Sequence, residues 1–243
     1  VIDRAVDIRE VMDFIRSDDT ASQIRLVDGT YADYIPTRRI AIPVDKQNAI
    51  ESGIVAEKDY DKMVDTVYME LRGSSIDKNQ LMLIDMLANF EWKRPIYLTQ
   101  VYILQDFGLM DYLQFDGYAY RLVPIKTPVK SVWDIGRIDP DYAAPLLKET
   151  FRYGNLAEEG VHADHFTQYN LSASRARESF ARVAKQLIRE EQYDKALEML
   201  DRGLEVLPSP KIRYSDANTY PFIEGYYSLK EWEKGDELLQ NYL

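Results

Sequence analysis

Any chemistry in this chain must come from a short list of side chains. There are no cysteines and only two histidines, His162 and His165. Without Cys, disulfides, thiolate metal sites and cysteine nucleophiles are excluded. On a helix His162 and His165 would share a face, and with Asp164 or Glu159 beside them they would begin a zinc site. The segment follows Gly160 and reads as a loop. With no third spaced ligand, the expectation is a loop or packing role, and neither a metal nor a cofactor is assigned.

Carboxylates stand in close pairs at Asp18 and Asp19, Asp59 and Asp61, and Asp139 and Asp141. A glycosidase needs two carboxyl groups at a fixed separation across a sugar, which sequence neighbours do not supply. In a chain of net charge -11 such pairs read as solvated faces, caps or turns. Nucleophile-elbow, phosphate-loop, dinucleotide, zinc-protease and calcium-loop patterns are absent from the sequence. What remains is aromatic: 18 Tyr, 8 Phe and 3 Trp, residues that serve binding surfaces as well as cores. Tyr118 and Tyr120 should share one face of a strand, with Arg121 on the other. Tyr112, Tyr118, Tyr120 and Arg121 are the candidate binding residues, for stacking on a sugar or a peptide. The competing reading makes these tyrosines ordinary core with tethered hydroxyls.

The elements that position these groups must be built from 243 residues, enough for one large domain or two small ones. With 46% hydrophobic and 29% charged residues the composition is that of a globular protein. The acidic balance argues against nucleic acid and against an anionic lipid surface as partners. No uninterrupted apolar run reaches the roughly 18 residues that a membrane span needs. The chain opens at Val1 without an initiator Met or a leader pattern, as expected of an excised piece or a processed form.

Asp3 to Phe14 has the spacing of a short amphipathic helix. Ile24 to Val27, Arg39 to Val44 and Val64 to Leu71 read as strands. Asp77 is placed to cap a helix that runs to about Glu91. Pro95 to Val101 reads as a buried strand, Gly108 to Gln114 as a short helix and Gly117 to Pro124 as a strand. That order predicts a small, partly parallel α/β layer. The expected fold class is therefore α+β: an α/β domain over residues 1–125, a linker over 126–140 and a helical domain over 141–243.

The strongest periodic signal lies near the C-terminus. Phe180, Ala184 and Leu187 form one helix face; Ala196, Leu200, Gly203 and Pro208 follow at the small, large, small, Pro spacing of a tetratricopeptide hairpin. Glu191 stands where the turn usually has Gly, and Phe180 replaces the usual Trp. A looser copy follows, in which Trp232-Glu233-Lys234-Gly235 echoes Tyr193-Asp194-Lys195-Ala196 at an offset of 39 residues. The repeats fall at about 177–208 and 216–243. Two repeats are fewer than a free solenoid needs, so they either scaffold the rest of the chain or present a peptide groove.

Trp92-Lys93-Arg94-Pro95-Ile96-Tyr97, Gly108-Leu109-Met110-Asp111-Tyr112-Leu113-Gln114 and Gly117-Tyr118-Ala119-Tyr120-Arg121-Leu122-Val123-Pro124 occur in series. Ser17-Asp18-Asp19, Tyr34-Ile35-Pro36-Thr37-Arg38, Ile42-Pro43-Val44-Asp45 and Tyr153-Gly154-Asn155 accompany them. Together they resemble the C-terminal region of a family of multi-pass bacterial membrane proteins related to the GT-C-type protein O-mannosyltransferases. The resemblance implies a missing N-terminal bundle of transmembrane helices that carries the sugar-transfer site. It places this piece on the periplasmic side of the inner membrane. No catalytic residue carries over to this chain. Asp19-Thr20-Ala21 and Asp65-Thr66-Val67 also fit an O-glycosylation acceptor pattern, with a turn and a strand start as the competing readings.

The expected function is a non-catalytic accessory domain of a glycosyltransferase-like membrane protein, organising a protein or peptide partner such as a glycoprotein acceptor. The alternative is a stand-alone periplasmic interaction module of tetratricopeptide type, and a sugar-active enzyme stands third.

Overall fold

A computed structural model describes residues 3–17, 19–131, 134–164, 166, 171–208 and 211–243. Asp18 and His165 lie outside the described residues, as does the side chain of Thr20. The chain divides into two compact units: Val1–Gln114 with Tyr120–Arg137, and Phe115–Ala119 with Ile138–Leu243.

The first unit is built around β4 (Arg39–Pro43). It pairs in parallel with β1 (Val6–Asp7) and antiparallel with β5 (Thr66–Glu70). Alternation puts Ile40, Ile42, Val67 and Met69 on one buried face while Arg39 and Glu70 point outward. Asp7 ends β1 and starts α1 (Ile8–Ile15), its carboxylate accepting from the backbone N of Arg9 at 2.8 Å. α1 buries Ile8, Val11 and Met12. It packs against α3 (Lys78–Ala88), which contributes Leu83, Ile84 and Leu87 to the same core. At the start of α3 the backbone N of Asp77 donates to Gln80 Oε1 at 2.9 Å, closing a capping box. β2 (Gln23–Arg25) and β3 (Tyr31–Asp33) form a separate two-stranded ribbon, and α2 (Lys46–Glu51) follows β4.

A second small sheet has the order β6-β8-β7, from Tyr97–Leu98, Tyr120–Leu122 and Leu113–Phe115. Here the expectation fails in detail. Pro95 to Val101 is not a buried strand: only two residues pair, antiparallel to β8, with Tyr97 46% exposed. The apolar end of that run turns instead into α4 (Tyr102–Gln105), which buries Leu104. Gly108 to Gln114 is not a helix but a single 3-10 turn, Met110–Tyr112, leading into β7. Of the strands within residues 64 to 124, β5 pairs antiparallel with β4 and β6 antiparallel with β8, and parallel contacts are found between β1 and β4 and at the isolated bridge of Gln114 with Arg137. A short apolar run is compatible with helix or strand, and tertiary partners decide between them.

The second unit is helical apart from residues 115–119 and its loops. Asp139 caps α5 (Pro140–Pro145), and a wide π turn spans Leu146–Thr150. α6 (Leu171–Arg189) and α7 (Tyr193–Val206) form a hairpin, and α8 (Asp216–Ser228) and α9 (Trp232–Tyr242) form another. Both hairpins turn through a non-glycine residue at positive φ, Glu191 at 59° and Lys230 at 63°. The small residues lie at the crossings. Ala184 and Ala196 are fully buried, and a Cβ on Gly203 would stand 2.8 Å from Phe180 Cβ and 2.9 Å from Phe222 Cζ. Only hydrogen fits where α6, α7 and α8 converge. Leu187, Leu200, Ile223, Tyr226 and Leu238 complete this core. Among the described residues no helix is long and apolar enough to cross a membrane.

Candidate functional site

The four candidate binding residues are distributed over both units. Tyr112 and Arg121 are buried at 4% and 3% exposure, and Tyr120 is half-buried, all in the first unit. Arg121 Nη1 donates to the carbonyl of Gly53 at 2.6 Å, and its guanidinium lies 5.9 Å from the Tyr97 ring centroid. Tyr118 belongs to the second unit, where it meets Phe151 edge-on at 4.9 Å and keeps 40% of its surface exposed. Burial pushes its hydroxyl up to about 12, so it is a neutral donor at physiological pH. Ser179 Oγ donates to the Gly117 carbonyl at 2.6 Å. Gly117 has φ 93°, and a Cβ there would stand 2.9 Å from Phe151 Cε2. Gly117 is thus the close contact point of residues 115–119.

One member of each carboxylate pair does structural work. Asp19 accepts from the backbone N of Ala21, and Asp139 from that of Asp141. Asp59 is 1% exposed and receives Lys62 Nζ at 2.6 Å and Arg137 Nη2 at 2.8 Å. Burial alone would raise its pKa, but the two cations outweigh it and hold the carboxyl below its ordinary value. Arg137 also donates to Gln114 Oε1 at 2.9 Å, so one guanidinium ties residues 59, 114 and 137 together. His162 lies in a loop, exposed. Among the described residues no group of His, Cys, Asp and Glu is arranged to hold a metal. Thr66 begins β5 opposite Pro43, and the neighbouring Asp65 pairs with Lys46 at 2.8 Å.

In the second unit a cleft of about 600 Å³ runs along α7 beside the π turn, lined by Lys148, Asp194, Glu198, Asp201, Arg202 and Glu205 among others. Its charges are largely paired within the unit. Lys148 meets Glu198 at 2.5 Å, Arg202 meets Glu205 at 2.7 Å, and Lys234 meets Asp201 at 2.7 Å. Tyr226 also donates to Asp201, at 3.0 Å. Burial, and then this carboxylate, hold the tyrosine hydroxyl well above its ordinary value. The arrangement is an open polar trough that suits contact with a charged chain.

Two anchors escaped the sequence reading. Trp92, in the first unit, is 1% exposed; its indole N–H donates to the Pro43 carbonyl at 2.8 Å. Arg177, in the second unit, is fully buried. Arg177, Phe180, Ala184 and Leu187 follow helical spacing, so a cation on an apolar stripe was the visible signal.

No curated protein and no solved structure matches this chain. Residues 2–142, more than half of the 243, do match a described family, and they hold every element of the first unit. On that match the chain belongs to the family described as TMEM260-associated domain 2.

Proposed function

We propose that this chain is a non-catalytic accessory domain on the periplasmic side of a glycosyltransferase-like membrane protein, where it organises an acceptor protein or partner subunits beside the membrane catalyst. The observation that carries the reading is the match of residues 2–142 to a domain family associated with a membrane protein. The helical hairpins add to it. Their small-residue crossings have tetratricopeptide-like spacing, and an array of that kind acts through surface rather than through reacting groups. The trough along α7, where carboxylates outnumber cations, suits a charged peptide segment. Tyr118 offers an exposed aromatic face in the same unit, while Tyr112, Tyr120 and Arg121 act as support.

Deleting residues 138–243 from the native gene tests the reading. Glycan transfer to the acceptor should fall while the membrane protein keeps its abundance. Undiminished transfer at equal abundance would reject it. A topology reporter fused at Leu243 should be active only outside the cytoplasm. The family match stops at residue 142, before the hairpins, which favours a second reading: a stand-alone interaction module of tetratricopeptide type. Hydrophobic spans encoded upstream of Val1 would select the first reading, and a signal peptide alone the second.

A further inference from the structure

Arg177 sits on the apolar stripe of α6, and none of its side chain reaches solvent. Its Nε donates to the Leu207 carbonyl at 3.1 Å, and Nη2 donates to the carbonyls of Leu207 and Ile212, the latter at 3.0 Å. Nη1 reaches Asn218 Oδ1 at 3.5 Å, and the guanidinium lies 5.2 Å from the Tyr214 ring centroid. Leu207 ends α7, Ile212 belongs to the crossover between the hairpins, and Asn218 stands in the first turn of α8. There Asn218 Oδ1 also accepts from the backbone N of Ser215 at 3.0 Å. One side chain of the first hairpin therefore holds the end of α7, the crossover and the start of the second hairpin.

None of these partners carries a negative charge. A buried cation ordinarily pairs with a carboxylate. Here the carbonyl at the C-terminal end of α7, where the helix dipole is negative, takes that place. The rigid, planar fork of five donors reaches acceptors spread across one plane, a span that the compact three-donor ammonium of lysine does not cover. Leu207 and Ile212 are themselves buried, at 1% and 0% exposure, so the crossover is packed as well as hydrogen-bonded.

We infer that Arg177 is a latch that joins the two helical hairpins into one cooperative unit: it holds the crossover against α6, and without it α8 and α9 open while α6 and α7 stay folded. Hydrogen exchange on the full chain tests this with two variants. Arg177→Met keeps the apolar stem without donors, and Arg177→Lys keeps the charge without the fork. In Arg177→Met the amides of Ile212, α8 and α9 should exchange at least about tenfold faster, with those of α6 and α7 within about twofold of wild type. Arg177→Lys should fall between. Unchanged exchange in both variants overturns the latch. So does a uniform acceleration from α6 to α9, which marks a general core defect. If Arg177→Met loses its helical circular dichroism, Arg177→Lys carries the same test. Acceleration confined to Ile212, α8 and α9 supports the latch; uniform acceleration, or none, overturns it.

Discussion

Single residues show how little tolerance the buried positions have. Gly203 is a contact surface for two aromatic rings, so Gly203→Ala must displace Phe180 or Phe222 and should destabilise the helical unit by about 1–3 kcal/mol. Gly235 makes a useful contrast. A Cβ there meets Tyr227 ring atoms, the nearest at 2.5 Å, and that ring is only part-buried, whereas Phe180 and Phe222 are fully buried. Gly235→Ala should therefore cost less than Gly203→Ala in urea denaturation. Asp59 supplies a pH dependence. Its folded pKa lies below the unfolded 3.8, so the ionised form favours the folded state. That stabilisation is present above about pH 3.8 and is lost as pH falls through the folded value. Asp59→Asn should lower stability at neutral pH by about 3 kcal/mol, because Arg137 keeps its burial and loses its counter-ion. The variant should also flatten the acid limb of the stability curve, as read by denaturation between pH 2 and 5.

At the level of elements, Trp92 explains why its neighbourhood looks distinctive in the sequence. Glu91 and Trp92 both adopt positive φ, 45° and 57°, a conformation costly for non-glycine residues. The indole repays that strain: it is buried, packs 4.7 Å from Phe90 and bonds to the Pro43 carbonyl at the end of β4. The segment thus pins the end of α3 to the central strand. Trp92→Ala should cost about 3–5 kcal/mol by opening a cavity. Trp92→Phe keeps most of the apolar contact but strands the Pro43 carbonyl, at a cost of about 1–3 kcal/mol. Tryptophan fluorescence is unsuitable when the probe itself is replaced, so circular dichroism in urea is the measurement.

At the scale of the whole molecule, the described residues form two hydrophobic cores, one in each compact unit. Separate cores allow separate unfolding transitions. Calorimetry should resolve two components, with Trp92→Ala shifting one and Gly203→Ala the other. A single transition moved by both substitutions would show that the units melt together. The charge of -11 belongs to this scale too, because it sets which partners approach, favouring cationic surfaces over nucleic acid.

The hairpins were legible in the sequence because their signal is local. Small and large residues recur at helical spacing within each helix, and Ala184, Ala196, Leu200 and Gly203 needed no distant partner to be recognised. The strand face of β4 was legible for the same reason, with its alternating burial. Local pattern says nothing about which sheet a strand joins or what a buried charge meets. The pairing of β5 with β4, the shrinking of Pro95 to Val101 to a two-residue strand and the burial of Arg121 depended on residues far away in sequence. So did the partners of Asp59, Trp92 and Arg177, which are contacts across 78, 49 and 30 residues. Periodicity reports the face a residue takes on its own element. Only tertiary packing decides what that face is pressed against.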